Sequence, residues 1–214
     1  MLSSLLIIGT WMLLVISAAL ICRKRWPEQQ ELSRKIVHIG TGPIVVLAWW
    51  LAIPAFVAVP VAIAVTVITA VNHRLQLLPA VEDVDRNSYG TVAYGLAISL
   101  LLLLFWPEQA VAVCAGVLVM AFADGLAGLV GRGMASPSWT IWQQRKSVAG
   151  TITMALVTAL VLLLLVLLSQ SPLHPLRLIA VCALAVGLEQ FGRWGIDNLT
   201  VPIAVGLCWA WMTV

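Results

Sequence analysis

The chain is short of charge. Only 10% of its 214 residues are Asp, Glu, Lys or Arg, where a soluble domain carries about 25%. Nine acidic against twelve basic side chains leave a net charge of +3. That is too little to point to a nucleic-acid partner, and none is expected. Cysteine is scarce as well. Cys22, Cys114, Cys182 and Cys208 all fall in or beside apolar runs, without the spacing of a metal site. They read as small apolar packing residues rather than a disulfide framework. No basic segment precedes the first apolar run and no small-residue cleavage site follows it, so that run is expected to be a retained span rather than a secretory signal. No Arg- and Ser-rich transit segment precedes it either, which favours a prokaryotic chain. There is no obvious repeat and no low-complexity linker.

Apolar sequence is what the chain has. Hydrophobic residues make up 62% of it and the mean hydropathy is +1.04, against about 45–50% apolar residues in a soluble domain. The expectation is one membrane-embedded domain over residues 1–214, all-α, a polytopic helix bundle. A span needs about 20 apolar residues. Eight candidates follow in order: Leu2 to Cys22, Arg34 to Leu51, Pro54 to Val71, Tyr89 to Trp106, a fifth from after Pro107-Glu108 to Gly131, Val148 to Leu168, Leu176 to Phe191, and Leu199 to Val214. The last two are short enough to be tilted or re-entrant, and seven spans is the alternative count. The polar stretch Arg23 to Lys35 is expected along the interface. Trp49, Trp50, Trp209 and Trp211 fit interfacial anchors.

The few charges are not scattered. On this topology eleven of the twelve basic residues fall in loops on one side, with Arg177 alone on the other. The positive-inside rule makes that side cytoplasmic, with both termini outside. All acidic residues except Glu108 lie on or near the same side. A transporter spreads polar groups through the membrane depth; a catalytic surface gathers them at one interface.

Four stretches carry chemistry. In Ser33 to Pro43, Arg34 and His38 share a helix face. Glu31 lies one turn before Arg34, and Lys35 is expected to point aside near the headgroups. His38, four residues into an apolar helix, needs a polar partner, which suits phosphate binding or proton handling. In Arg86 to Gly95, Arg86 either snorkels or reaches a phosphate, and Glu82, Asp83 and Asp85 read as a solvated loop. In Ala121 to Gly150, Asp124, Gly128 and Arg132 recur every four residues, and Gly125, Gly128 and Gly131 every three. Small-residue helix packing explains the glycines but not an ionisable Asp124 at the end of an apolar run, which marks function, nor Arg145-Lys146-Ser147 before the next helix. A carboxylate with cations beside a helix N-terminus suits a magnesium-bound phosphate, although no P-loop motif is present. In Leu188 to Pro202, Glu189 ends one apolar run and Asp197-Asn198 opens another; these are metal ligands, or Asp197 caps a helix.

Taken together, RKxxH at Arg34 to His38, ADGLAGLVGR at Ala123 to Arg132, RKSVAGT at Arg145 to Thr151, and Glu189 followed by DNLTVP at Asp197 to Pro202 resemble the CTP-dependent prenol kinases. That group holds phytol, dolichol and farnesol kinases and is distantly related to phosphatidate cytidylyltransferase. The chain length and the GxDNLTVP form look closest to the phytol kinase branch. The resemblance implies transfer of the γ-phosphate of CTP, or UTP, with Mg2+, to a membrane-dissolved isoprenoid alcohol. Phytol would give phytyl phosphate, in salvage of chlorophyll phytol toward tocopherol. Farnesol and geranylgeraniol are the other alcohols. The membrane would be a prokaryotic plasma or thylakoid membrane.

Carried over by position, Asp124, Arg145, Lys146, Ser147 and Gly150 belong to the nucleotide and metal site. Arg34, Lys35, His38, Glu189, Asp197 and Asn198 match other polar positions of the family. Asp124, Glu189 and Asp197 are the expected metal ligands, and Arg86, Gly128 and Arg132 are added to the nucleotide site. Asp124, Lys146, His38 and Asp197 are the expected catalytic residues, with Asp197 first choice as base. The segment between Arg132 and Arg145 departs from the glycine- and lysine-rich form of many members. The rival readings are a CDP-lipid-forming cytidylyltransferase and, outside enzymes, a small transporter or scaffold.

Overall fold

The computed structural model describes residues 1–75, 88–172 and 174–212. Eight helical rods run through them. The first four are α1 (Leu2–Arg25), α2 (Gln30–Trp50), α3 (Ala55–Leu75) and α4 (Gly90–Phe105). The fifth is compound: α5 (Ala110–Leu118) passes through a π-helical turn, Val119–Asp124, into α6 (Gly125–Gly133). Then come α7 (Val148–Ser169), α8 (Pro175–Gln190) and α9 (Asp197–Met212). Among the described residues the chain is all-α but for one hairpin.

Four of these rods are long and apolar enough to cross a membrane: α1, α3, the compound rod and α7. The 16 residues of α4 are equally apolar but shorter; at about 1.5 Å per residue such a helix spans about 24 Å. The polar stretch expected to lie along the interface instead divides. Residues 23–25 continue α1, residues 30–35 open α2, and only 26–29 turn between them.

The compound rod is the axis. In its most apolar window 78% of residues are buried, against 6% in α3 and 17% in α1, which therefore form the rim. Small side chains make this possible. Ala112, Val113, Cys114, Ala115 and Val117 are almost wholly buried, and Gly116 lets the Pro202 carbonyl of α9 come into direct contact. Against α2, a Cβ at Gly42 would lie 2.6 Å from Ala121 Cβ, and one at Gly125 would lie 2.5 Å from Ile39 Cγ1. Backbones can approach this closely only where side chains are absent.

The segment between the fifth and sixth spans, expected as a plain polar loop, is a β-hairpin. Strands β1 (Ser138–Ile141) and β2 (Gln144–Ser147) pair antiparallel, Ser138 opposite Ser147 and Ile141 opposite Gln144. The two-residue tip, Trp142 and Gln143, takes positive φ at both positions (45° and 68°). A primed turn requires that conformation, whose usual signal is Asn-Gly or Asp-Gly. The Trp142 ring rests on Phe191 at the end of α8, centroids 5.7 Å apart.

Candidate active site

At the hairpin end of the bundle, α2, α6, β2 and the ends of α7, α8 and α9 enclose a cavity of about 390 Å³. Asp124 reaches it from the π turn, a device found at functional positions in helices. On α2, Lys35 is buried and aimed at it: Nζ donates to Asp124 Oδ2 at 2.6 Å and to the Asp124 carbonyl at 3.3 Å. Lys35 therefore does not point aside toward the headgroups. The missing side chain of Gly128 leaves it room, since a Cβ there would stand 3.0 Å from Lys35 Cε. His38 lies behind this pair rather than on the cavity wall. Its Nε2 is 3.0 Å from the Met120 carbonyl and 3.4 Å from Asp124 Oδ2, and its ring is 4.6 Å from that of Tyr94.

A second lysine–carboxylate pair closes the opposite wall. Lys146 on β2 donates to Glu189 Oε1 at 2.5 Å and to the Glu189 carbonyl at 2.6 Å. Its charge thus also meets the C-terminal end of α8, the favourable end for a cation. Gln190 Nε2 donates to the other carboxylate oxygen at 2.8 Å and to Thr151 Oγ1 at 3.1 Å. Ser147 caps α7, its Oγ accepting from the Gly150 amide at 3.2 Å and donating to the Gly131 carbonyl at 3.3 Å. Gly131 and Gly150 allow this seam: a Cβ on Gly131 would be 3.3 Å from Gly150 Cα.

Asp197 and Asn198 open α9 on the third side. Gly195, at φ +82°, makes the turn that delivers them, and a side chain there would strike the Gly90 backbone at 2.5 Å. Asp197 Oδ1 accepts from the Asn198 backbone amide at 3.1 Å and from its Nδ2 at 3.2 Å. Burial, then the charge of Asp124, and also that of Glu189, push the Asp197 carboxyl up to about 6, with Lys146 and Lys35 opposing. At the rim, Glu31 bridges two arginines, Arg34 (3.0 and 2.5 Å) and Arg132 (2.9 Å). Burial alone would raise Glu31; Arg34 and Arg132 outweigh it, and its carboxyl is held below the ordinary range. Arg145, exposed, donates to Ser138 Oγ at 3.2 Å.

One carboxylate oxygen from each of Asp124, Glu189 and Asp197 lies within 4.8 Å of the others. Oxygens held about 2.0–2.1 Å from a magnesium ion stand about 3–4 Å apart, so small side-chain rotations bring these three to one ion. The donor set therefore fits a hard divalent cation.

The residues singled out in the sequence thus largely meet. Asp124, Gly128, Arg132, Arg145, Lys146, Ser147, Gly150, Glu189, Asp197, Asn198, Arg34 and Lys35 all line the cavity. His38 stands behind it, and Arg86, with Glu82, Asp83 and Asp85, lies outside the described residues. Glu31, Ser88, Gln144, Thr151 and Gly195, which the motifs do not single out for the site, also line the wall. Thr151, one turn beyond Ser147, and Glu31, one turn before Arg34, carried a helical-spacing signal; Gly195 carried none.

The chain has relatives among known proteins. The chain is 41% identical over 184 residues to the phytol kinase of Synechocystis sp., covering 84% of this chain and 79% of that protein. It is 27% identical to a probable chloroplastic phytol kinase 2 of Glycine max, covering 84% of this chain and 64% of the relative. It is 31% identical to the chloroplastic phytol kinase 1 of Arabidopsis thaliana, over 61% and 46% of the two chains. No protein-family model matches the chain, and no solved structure matches it. On the strength of the long match to the Synechocystis enzyme, the chain belongs to the phytol kinase family, phosphotransferases with an alcohol acceptor.

Proposed function

We propose that the protein is a single membrane domain that transfers the γ-phosphate of CTP, or UTP, to the hydroxyl of phytol, giving phytyl phosphate. The observation that carries the reading is the convergence of Asp124, Glu189 and Asp197 within 4.8 Å of one another, in a cavity also lined by two lysines and three arginines. Phosphoryl transfer asks for positioning and charge neutralisation rather than covalent chemistry by the protein, and this lining suits that demand. On this reading all eight rods cross or enter the membrane, the cavity opens to the cytoplasm, and the alcohol arrives from the bilayer of a plasma or thylakoid membrane.

Asp124, Glu189 and Asp197 would hold Mg2+, which would supply neutralisation of the phosphate charge. Lys146, Lys35, Arg34, Arg132 and Arg145 bind the triphosphate, beside the Ser147–Gly150 start of α7, whose first amides are already bonded to Pro137, Ser136 and Ser147. Arg86 joins them. Gly128 keeps the wall open, and Asn198 holds Asp197 in place. The alcohol oxygen forms a bond to the γ-phosphorus as the bond from that phosphorus to the β,γ-bridging oxygen breaks, and the nucleoside diphosphate leaves. The hydroxyl proton goes to a carboxylate, Asp197 first. His38 fixes the Asp124 carboxylate from behind.

The test is transfer from γ-labelled CTP, UTP and ATP to phytol, geranylgeraniol and farnesol by the purified protein in lipid. Label should appear on phytol with CTP and vanish in Asp124→Ala. Label on farnesol alone would move the substrate. Pyrophosphate release with no labelled alcohol would replace the kinase with nucleotidyl transfer.

A further inference from the structure

The three candidate metal ligands are not equally available. Asp124 is bonded to Lys35 at 2.6 Å and Glu189 to Lys146 at 2.5 Å, and both pairs are nearly sealed from solvent, with side-chain exposures of 5–13%. Each lysine comes from a different element than its partner: α2 to the π turn, β2 to α8. Among the described residues, the wall carries five cationic side chains, Arg34, Lys35, Arg132, Arg145 and Lys146. Against them stand four carboxylates, Glu31, Asp124, Glu189 and Asp197. With all of them ionised, five against four leaves one positive charge. Such a wall repels a bare divalent cation and attracts an anionic metal–triphosphate complex.

We infer that Lys35 and Lys146 are internal counter-ions that keep bare metal out, and that metal binds only with the nucleotide. The inference rests on the metal and nucleotide assignment proposed above. When the complex enters, each lysine exchanges a carboxylate for a phosphate oxygen, and the carboxylate it releases turns to the metal. Both lysines line the cavity, so the exchange needs rotation of their flexible stems and no movement of a helix. Breaking a buried pair without replacement is costly. Metal alone frees a carboxylate but strands an ammonium, and nucleotide alone takes an ammonium but strands a carboxylate. Only the two together leave every charge satisfied. Metal and nucleotide must then strengthen each other's binding by the same factor.

The experiment is Mn2+ binding to the purified full-length protein in lipid, read by electron paramagnetic resonance of free Mn2+, with and without a β,γ-methylene analogue of CTP. Wild type should bind Mn2+ at least about tenfold more tightly with the analogue than alone. Lys146→Met, and independently Lys35→Met, should bind Mn2+ alone more tightly than wild type, because the stranded carboxylate now seeks a cation. Both should lose most of the coupling. Lys146→Arg should restore the wild-type exclusion. Lys146 is the less buried of the two, 10% against 5% exposed, so its variants carry the test if Lys35→Met does not fold. Unchanged or weaker binding of Mn2+ alone to a folded lysine variant would overturn the inference, as would equal Mn2+ affinity in wild type with and without the analogue. Asp124→Asn separates the two levels. If it binds Mn2+ with the analogue as well as wild type does, the metal assignment itself is wrong. If it loses Mn2+ while the lysine variants behave as wild type, only the counter-ion role falls.

Discussion

Replacing Gly192 with alanine tests the site through a single carbon. Gly192 sits between α8 and α9, and its backbone is outside the left-handed region, so alanine is tolerated conformationally. The obstacle is Asp197. A Cβ on Gly192 would lie 2.6 Å from Asp197 Cβ and closer still to its carboxylate. Carbon atoms in contact stand about 3.5–4.0 Å apart, so one side must yield by about 1 Å. Asp197 cannot escape by changing rotamer, because its Cβ is fixed by the backbone of the first turn of α9. The turn itself has to shift, taking Asn198 with it. A displacement of that size at a reacting centre costs about 10²-fold in rate, or about 2.7 kcal/mol of barrier. The assay is the initial rate of labelled phosphate transfer to phytol, alongside Asp197→Ala and a thermal melt. The expectation is a Gly192→Ala enzyme that folds, loses about 1–3 kcal/mol of stability and turns over about 10²-fold more slowly per folded molecule. A variant within a few-fold of wild type, beside an inactive Asp197→Ala, would refute the steric argument.

Other outcomes follow from other contacts. Asp124→Ala strands the Lys35 ammonium and should lower stability by about 3–5 kcal/mol. The double variant with Lys35→Met should melt higher than the single one, and a double variant no more stable than Asp124→Ala would mean the pair is not formed. Gly116→Ala pushes a methyl group into the Pro202 carbonyl and to 2.9 Å from Leu101 Cδ1. It should cost about 1–3 kcal/mol by overpacking while kcat per folded molecule stays the same; a melt unchanged from wild type would contradict the α5–α9 packing. Because the folded Glu31 carboxyl is held below the ordinary range, its bridge contributes stability that is fully present above the unfolded value of about 4.3. That stability is lost as the pH falls through the folded value. Glu31→Gln should therefore melt below wild type at neutral pH and converge with it in acid; a gap that persists in acid would point to shape rather than charge.

Much of this was readable in the chain. The apolar runs mark the rods, and Val148 opens one because an uninterrupted apolar stretch begins there. Asp124, Glu189 and Asp197 stood out because carboxylates at the edges of such runs need a reason. What could not be read depends on partners distant in sequence. Lys35 looks like a headgroup lysine until Asp124, 89 residues away, is placed beside it. The hairpin was hidden because its tip, Trp142-Gln143, lacks the glycine or asparagine that announces such turns. The π turn has no composition at all: Val119 to Asp124 reads as ordinary apolar helix. Gly195 matters because its backbone is left-handed, at φ +82°, and because Gly90 is its neighbour in space.

That π turn has one more consequence. A π turn is equivalent to one extra residue in a helix, and each residue of an α-helix advances the rod by about 100°. The wide turn absorbs that residue locally, so the two α-helical halves keep their relative phase: the half before it is shaped for the core, the half after it for the cavity. Winding the same residues as regular α-helix through Val119–Asp124 would turn the second half by about 100° relative to the first. Gly128 and Arg132 would then swing away together, as a set. The rod thus works as a keyed shaft, in which one wide turn sets the angle at which the charged end meets α2.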